Sequence, residues 1–277
     1  MRGEQYMKFF PEKLYELSEG DLAKTLIDAL HKKLSEIVRV DVVIVGAGPS
    51  GLTAAWKLGE KGYKVVVLER MLGVGGGMRG GSMLLPIGLL EDGEAAEIAR
   101  EAGARINKVR DGLFVIDPSE LAVKLASNAI ENGAIIWPGV VVEDLITRGR
   151  GEDLVVRGVL INWTPIFEAG WHVDPFYVEA KAVVDATGHD GSLLRILAKR
   201  HPELKINVPG MSSQNVWIGE EEVVEKTGMV VKGLFVTGMS VAELYNTHRM
   251  GPIFGGMLVS GRKVADLIDD YLKKLKH

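Results

Sequence analysis

The chain has 277 residues, a formal net charge of -4 and no cysteine. That length can bury a substantial core in one large domain or two interleaved ones, and the dispersed charge offers no basic face for nucleic acid or an anionic membrane. Without cysteine there is no disulfide, no cysteine-ligated iron–sulfur cluster, no thiolate nucleophile and no protein thiol to give up its sulfur. The N-terminus shows no basic, apolar, small-residue leader pattern, and no apolar run approaches the roughly 18 residues of a spanning helix. A cytoplasmic protein is expected, and Met7 offers a second initiation point.

Between Asp21 and Val38, the residues Leu22, Leu26, Ile27, Leu30, Leu34 and Ile37 fall on one helical stripe. This predicts a helical extension over residues 1–40, its stripe packing on the domain or on another subunit. Residues 41–277 then make an α/β nucleotide-binding domain with a β-rich insert at about 105–180. The run Val42 to Val45 reads as an apolar strand that ends in Gly46-Ala47-Gly48-Pro49-Ser50-Gly51 and passes into the helical pattern Leu52 to Leu58. In that setting Gly-x-Gly-x-x-Gly is a dinucleotide cradle. Gly46 permits the tight turn, Gly48 lets the backbone approach a pyrophosphate, Gly51 lets helix lie close on strand, and the helix N-terminus faces the negative charge. A second strand, Lys64 to Leu68, ends in Glu69, where an acid accepts hydrogen bonds from an adenosine ribose.

Seven glycines between Gly73 and Gly88 make a loop suited to close backbone approach to a ligand, and Met78, Met83, Leu84 and Leu85 make it too apolar to stay solvated. A helix is expected from Glu91 to Ala102, a strand pair at Ile106 to Lys108 and Leu113 to Ile116, and a helix from Glu120 to Asn132 opened by Asp117-Pro118-Ser119. Ala134 to Trp137 and Val140 to Ile146 read as strands about a Pro138-Gly139 turn. Ala182 to Gly188 and Leu234 to Met239 read as buried parallel strands ending at the ligand edge of an open sheet. The last segment, Gly255 to Lys276, reads as a long helix whose small-residue start directs its dipole at phosphate. The expected class is α/β: the two-dinucleotide-binding, Rossmann-like fold of flavoproteins with an inserted, mostly β subdomain. In flavoproteins of this fold the late glycine is usually followed by Asp, which binds the ribityl chain. Here Met239 follows Gly238, which weakens a flavin reading and leaves NAD or another ADP-containing ligand for the cradle.

Two histidines and an aspartate form a suggestive set, His172 and Asp174 in Trp171-His172-Val173-Asp174-Pro175, and His189 in Thr187-Gly188-His189-Asp190-Gly191. A carboxylate and an imidazole could share a metal. Two protein ligands leave positions open, as iron(II) chemistry on a bound substrate requires, and mixed oxygen and nitrogen ligation also suits manganese or zinc. The same residues equally read as a turn cap before Pro175 and a strand-end histidine satisfying backbone groups.

Taken together with Asn246-Thr247-His248-Arg249-Met250-Gly251-Pro252-Ile253-Phe254-Gly255-Gly256-Met257, these stretches resemble the thiamine thiazole synthase family. The likeness runs from Asp41 nearly to the C-terminus through GAGPSGL, GGGMRGG, VVEDLITR, INWT, HVDP, ATGHDG, MSVAEL and RMGPIFGGM, in that order. The resemblance implies an enzyme that converts NAD, glycine and a sulfur source into an adenylated thiazole carboxylate, with NAD as a substrate and nicotinamide released. On matching positions it implies that Ser50, Glu69, Arg70, Gly77, Val141 and Met239 hold NAD or the product, together with His172, Val173 and Asp174. It implies that Arg249 grips glycine, its planar guanidinium matching a carboxylate bidentately. Asp174 and His189 match the family's Fe(II) ligands, which come from neighbouring subunits of a homo-octamer.

Members of the family that consume themselves carry a sulfur-donating Cys where this chain has His172. The chain resembles instead the archaeal-type branch, which uses free sulfide, so multiple turnover is expected. His172 then either shuttles protons, as an imidazole suits, or contacts NAD and fills the space of the missing thiol. Three other readings stay open: an FAD-dependent oxidoreductase, a ribose-1,5-bisphosphate isomerase using the cradle for phosphate groups, and a non-catalytic nucleotide-binding protein.

Overall fold

The computed structural model describes residues 9–275, so that Met7 and Lys276 lie outside the described residues. The chain falls into two units divided between Val38 and Arg39. The first holds a short 3-10 turn, Glu12–Glu16, and the helix α1, Glu19–Ile37. A capping box starts α1: the Asp21 N–H donates to the Ser18 hydroxyl at 3.2 Å, and the Ser18 N–H donates to the Asp21 carboxylate at 2.9 Å. Leu22, Leu26, Ile27 and Leu30 of the predicted stripe stand exposed in the single chain.

The second unit opens with β1 (Arg39–Val45), α2 (Pro49–Glu60) and β2 (Val65–Glu69). It continues with β3 (Gly88–Glu91), α3 (Glu94–Glu101), β4 (Ile106–Arg110), β5 (Leu113–Ile116), α4 (Pro118–Glu131), β6 (Ile135–Pro138), β7 (Val140–Arg148), β8 (Val155–Trp163), α5 (Thr164–Glu168) and β9 (Phe176–Asp185). The remainder is α6 (Ser192–Arg200), α7 (Val216–Glu225), β10 (Gly228–Val231), β11 (Leu234–Val236), α8 (Met239–Tyr245) and α9 (Gly255–Lys274).

The main sheet runs β10-β11-β9-β1-β2-β6, with β8 pairing β9 and β7 pairing β8. The stretch from β11 through β6 is parallel throughout. Parallel strands end at a common edge, and ligands in such a sheet bind outside their C-terminal ends. Val42 to Ile44 and Val65 to Val67 are fully buried, as both-face coverage of a parallel sheet demands. Helices α2, α4 and α9 cover one face, where Leu52, Leu58, Leu125, Leu258 and Ile268 pack with Val42, Ile44, Val65 and Val67. The fold is thus the expected α/β, Rossmann-like, flavoprotein-type arrangement. A separate antiparallel sheet, β3-β5-β4, stands beside it. Among the described residues no helix is long and apolar enough to cross a membrane.

Boundaries differ from the sequence expectation in several places; β9, for one, begins at Phe176 and stops at Asp185, short of Gly188. Glu91 closes β3 instead of opening a helix, because it pairs with Leu113 on β5, and Gly93 at φ +90° breaks the backbone before α3. The strand at Leu234 stops at Val236, and Met239 begins α8.

Candidate active site

At the end of β1 the chain turns at Gly46, φ +106°, where an added Cβ would stand 2.3 Å from the Ala186 carbonyl oxygen. Only glycine fits that turn. A Cβ at Gly51 would lie 2.1 Å from the Gly46 carbonyl oxygen, so the first turn of α2 rests directly on the loop. Gly48 is the opposite case, with no atom within 4 Å of its Cβ position, and the backbone there faces open space. First-turn amides of a helix have no partner within it, which suits this N-terminus to an anion. Glu69, at the end of β2, accepts from the Ala47 and Met71 N–H groups at 2.8 Å each, one on each carboxylate oxygen. Each oxygen keeps a further lone pair for a ligand hydroxyl.

These groups border a cavity of about 800 Å³. Gly46, Gly48, Ser50, Glu69, Arg70 and Gly77 line it, as do Val141, His189, Met239 and Arg249. Gly51 stands behind the lining, where it packs helix on turn. His172, Val173 and Asp174 are not among the lining residues and sit exposed on the segment 170–175.

The turn that carries His189 is held by a buried acid. Asp185, fully buried, accepts from the Thr187 N–H at 3.0 Å, the Thr187 hydroxyl at 2.7 Å and the Ser240 hydroxyl at 2.9 Å. Its other oxygen accepts from the Leu193 and Leu194 N–H groups at 2.9 and 3.1 Å, capping α6. A buried carboxylate needs such a full set of donors. Asp190 in the same turn pairs with Arg70 at 2.8 Å. Sequence reasoning passed over Asp185, although an acid inside the apolar run Val183-Val184-Asp185-Ala186 was the available signal.

Arg249 sits on a loop fastened at both ends. Its N–H donates to the Ser213 carbonyl at 3.3 Å and its carbonyl accepts from the Asn215 N–H at 3.1 Å, while the Leu89 N–H donates to Pro252 and the Phe254 N–H to Leu89, both at 3.0 Å. Helix α7 backs this loop. Glu222 accepts from the His248 N–H at 3.1 Å and lies 3.1 Å from His248 Nδ1. Burial works against the Glu222 carboxylate, but His248 and Lys226 outweigh it and bring the group down to about 2. Two residues earlier Glu220 accepts from the Gly256 N–H at the start of α9. Burial first, then the neighbouring Glu91 carboxyl, push Glu220 up to about 10. Glu91 Oε2 and Glu220 Oε1 are otherwise without donors, and one shared proton satisfies both. Neither Glu220 nor Glu222 was singled out in the sequence, because their partners lie 26 to 36 residues away.

Among the described residues no cluster of three or more His, Cys, Asp or Glu side chains could hold a metal ion. His189 alone of the predicted ligands faces the cavity.

A profile of the Thi4 family matches residues 23–254. The chain belongs to the Thi4 family. It is 50% identical over 237 residues to a thiamine thiazole synthase of Pyrobaculum arsenaticum, covering 86% of this chain and 90% of that one. It is 46% identical over 263 residues to that of Archaeoglobus fulgidus, covering 95% and 99%. The crystal structure of THI4 from Thermovibrio ammonificans superposes with a TM-score of 0.88 at 38% identity, over 94% of this chain and 99% of that one. An L-proline dehydrogenase from P. horikoshii shares the fold alone, with a TM-score of 0.52 at 13% identity over 84% of this chain and 94% of that one. The chain therefore stands among enzymes of thiamine biosynthesis.

Proposed function

We propose that the chain is a thiamine thiazole synthase that builds an adenylated thiazole carboxylate from NAD, glycine and free sulfide, releases nicotinamide and turns over repeatedly. The observation that carries this reading is the meeting, in one cavity, of a dinucleotide cradle with the Arg249 guanidinium, which among the described residues has no hydrogen-bonding or ion-pair partner. A cradle alone would suit any nucleotide; a separate, unspent guanidinium calls for a second, anionic substrate such as an amino-acid carboxylate.

In this reading the α2 N-terminus and Ser50 bind the diphosphate, and Glu69 accepts from the adenosine ribose hydroxyls. Arg249 holds the glycine carboxylate, so that the amine meets the ketone formed once NAD has lost nicotinamide and its ribose has opened and isomerised. Imine formation, sulfur addition and dehydrative ring closure each move protons, and His172, brought to the cavity with Asp174 by a second copy, either serves them as an imidazole or fills the space of the missing thiol. The chain has no cysteine, so sulfur comes from outside, and nothing in the protein is consumed.

The donor chemistry of His189 and Asp174, one imidazole and one carboxylate, suits Fe(II). His189 lines the cavity and Asp174 does not, which supports a site completed by Asp174 of a second copy within a homo-oligomer, an octamer in this reading. Iron there would supply Lewis-acid polarisation and a seat for a soft sulfur nucleophile.

The test is an anaerobic incubation of the protein with NAD, glycine, sulfide and Fe(II), each omitted in turn, read by mass spectrometry. Adenylated thiazole in molar excess over protein and dependent on all four is expected. Product without added sulfide overturns the free-sulfide source, and no product from folded, iron-loaded protein overturns the whole proposal in favour of an isomerase, a flavin-dependent oxidoreductase or a binding protein.

A further inference from the structure

The cavity has more cationic groups than its own acids neutralise. Its arginines are Arg70, Arg79 and Arg249, and its acids are Glu69 and Asp190. Asp190 pairs with Arg70 at 2.8 Å, and both Glu69 oxygens accept from backbone N–H groups. That leaves two guanidiniums, Arg79 and Arg249, with no acid beside them among the described residues. Two unspent guanidiniums in one cavity call for two separate anionic groups on what binds there. Resting on the reading above, a glycine carboxylate accounts for Arg249 and leaves Arg79 unassigned.

The backbone shows where Arg79 reaches. It sits in the short turn Gly76–Gly80 beside Met78, which is 2% exposed and anchors the turn in the core. Its side chain folds back along the glycine loop. A Cβ at Gly75, φ +101°, would stand 3.0 Å from Arg79 Cγ and 3.1 Å from Cδ, and a Cβ at Gly73 would stand 3.1 Å from Nη1 and 3.2 Å from Nη2. The two glycines therefore leave the lane that this side chain fills. The lane is tied to the cradle: the Gly75 N–H donates to the Ala47 carbonyl at 2.7 Å, and a Cβ at Gly76 would lie 3.1 Å from Gly48 Cα. Gly48 is the position that faces open space at the head of α2.

We infer that Arg79 is a second anion-binding residue of the cavity, gripping diphosphate oxygens of the ADP-containing ligand while Arg249 takes the separate carboxylate. A helix N-terminus brings only about half a positive charge, well short of what a diphosphate carries. Arg79 supplies the balance with a planar fork that two phosphate oxygens can meet at once. Loop and cradle thus divide the ligand between them, with backbone amides and guanidinium on the same diphosphate.

The experiment compares wild type with Arg79→Met and Arg79→Lys, using calorimetric titration with ADP, NAD and adenosine and the KM for glycine. Arg79 is exposed, so the variants are expected to fold, and circular dichroism checks it. Arg79→Met should weaken ADP and NAD by about tenfold or more, leave adenosine binding and the glycine KM unchanged, and be partly rescued by Arg79→Lys. Equal ADP affinity in wild type and Arg79→Met overturns the inference while leaving the NAD reading intact, and so does an equal loss for adenosine. A wild type that binds neither ADP nor NAD overturns both.

Discussion

The nucleotide cradle and the segment 170–175 both carry residues expected to act on substrate, yet the chain holds them in opposite ways. Around the cradle nearly every group is spent on the protein itself: Gly46 and Gly51 pack against backbone, Glu69 is fixed by two N–H groups, and Val42 to Ile44 and Val65 to Val67 are buried. In the other region His172, Val173 and Asp174 are exposed, beside Trp171 at 68% exposure, and the Asn162 amide donates to the Val173 carbonyl at 3.2 Å. In the proposed reading one chain builds the nucleotide cradle by itself. The half that holds His172 and Asp174 presents large apolar and polar groups to the surface, as expected for a surface that meets another copy.

The largest effect is expected at His189, the predicted ligand that faces the cavity. His189→Ala should lose bound iron and lower turnover by more than about a hundredfold, with NAD affinity unchanged, by metal analysis and titration. His172→Ala should slow the reaction while iron is retained. Normal iron content in His189→Ala would refute the ligand assignment.

The cradle is tested next. Gly51→Ala would push a methyl to 2.1 Å from the Gly46 carbonyl oxygen, so the turn and α2 must part, and NAD should bind about tenfold more weakly or worse. Iron content should hold. Parallel loss of iron would mean that the two halves are not separable.

The smallest effect concerns the frame behind Arg249. The ordinary carboxyl value for Glu220 is 4.5, and in the fold it stands near 10. Below pH 4.5 the group is protonated folded or unfolded and costs nothing. As pH rises the unfolded chain ionises freely while the fold must keep its proton, so stability falls between about 4.5 and 10. Glu220→Gln keeps an acceptor for the Gly256 N–H and a donor toward Glu91. It should leave Tm unchanged below pH 4.5 and raise it by a few degrees at pH 8. An unchanged pH slope in thermal melts would show that no proton is held there.

The legible parts of this molecule are those whose physics is local. The cradle could be read because a tight turn, a close approach and a helix resting on a loop each demand glycine at a fixed spacing, and Gly46, Gly48 and Gly51 meet those demands. The parallel strands could be read because burial on both faces leaves uninterrupted runs such as Val42 to Val45. Asp185 was missed because its role comes from donors on α6 and α8 up to 55 residues away. Helix α7 was missed because its pattern is weakly periodic, and the worth of Glu220 and Glu222 depends on where α9 and the His248 loop arrive. Glu91 was read as helical because its neighbours favour helix, whereas pairing with β5 decides otherwise. Arg79 drew no attention since glycines 73 and 75 shape its path only in three dimensions.

Whether Asp174 of one copy serves His189 of another is tested by subunit mixing. Asp174→Ala and His189→Ala chains, each inactive alone, are co-expressed with different tags and purified through both. In a randomly mixed closed oligomer about a quarter of the sites pair an intact Asp174 with an intact His189, and iron content and turnover should recover to about that fraction of wild type. If both ligands of a site came from the same chain, mixing would restore nothing, which would contradict a site shared between copies.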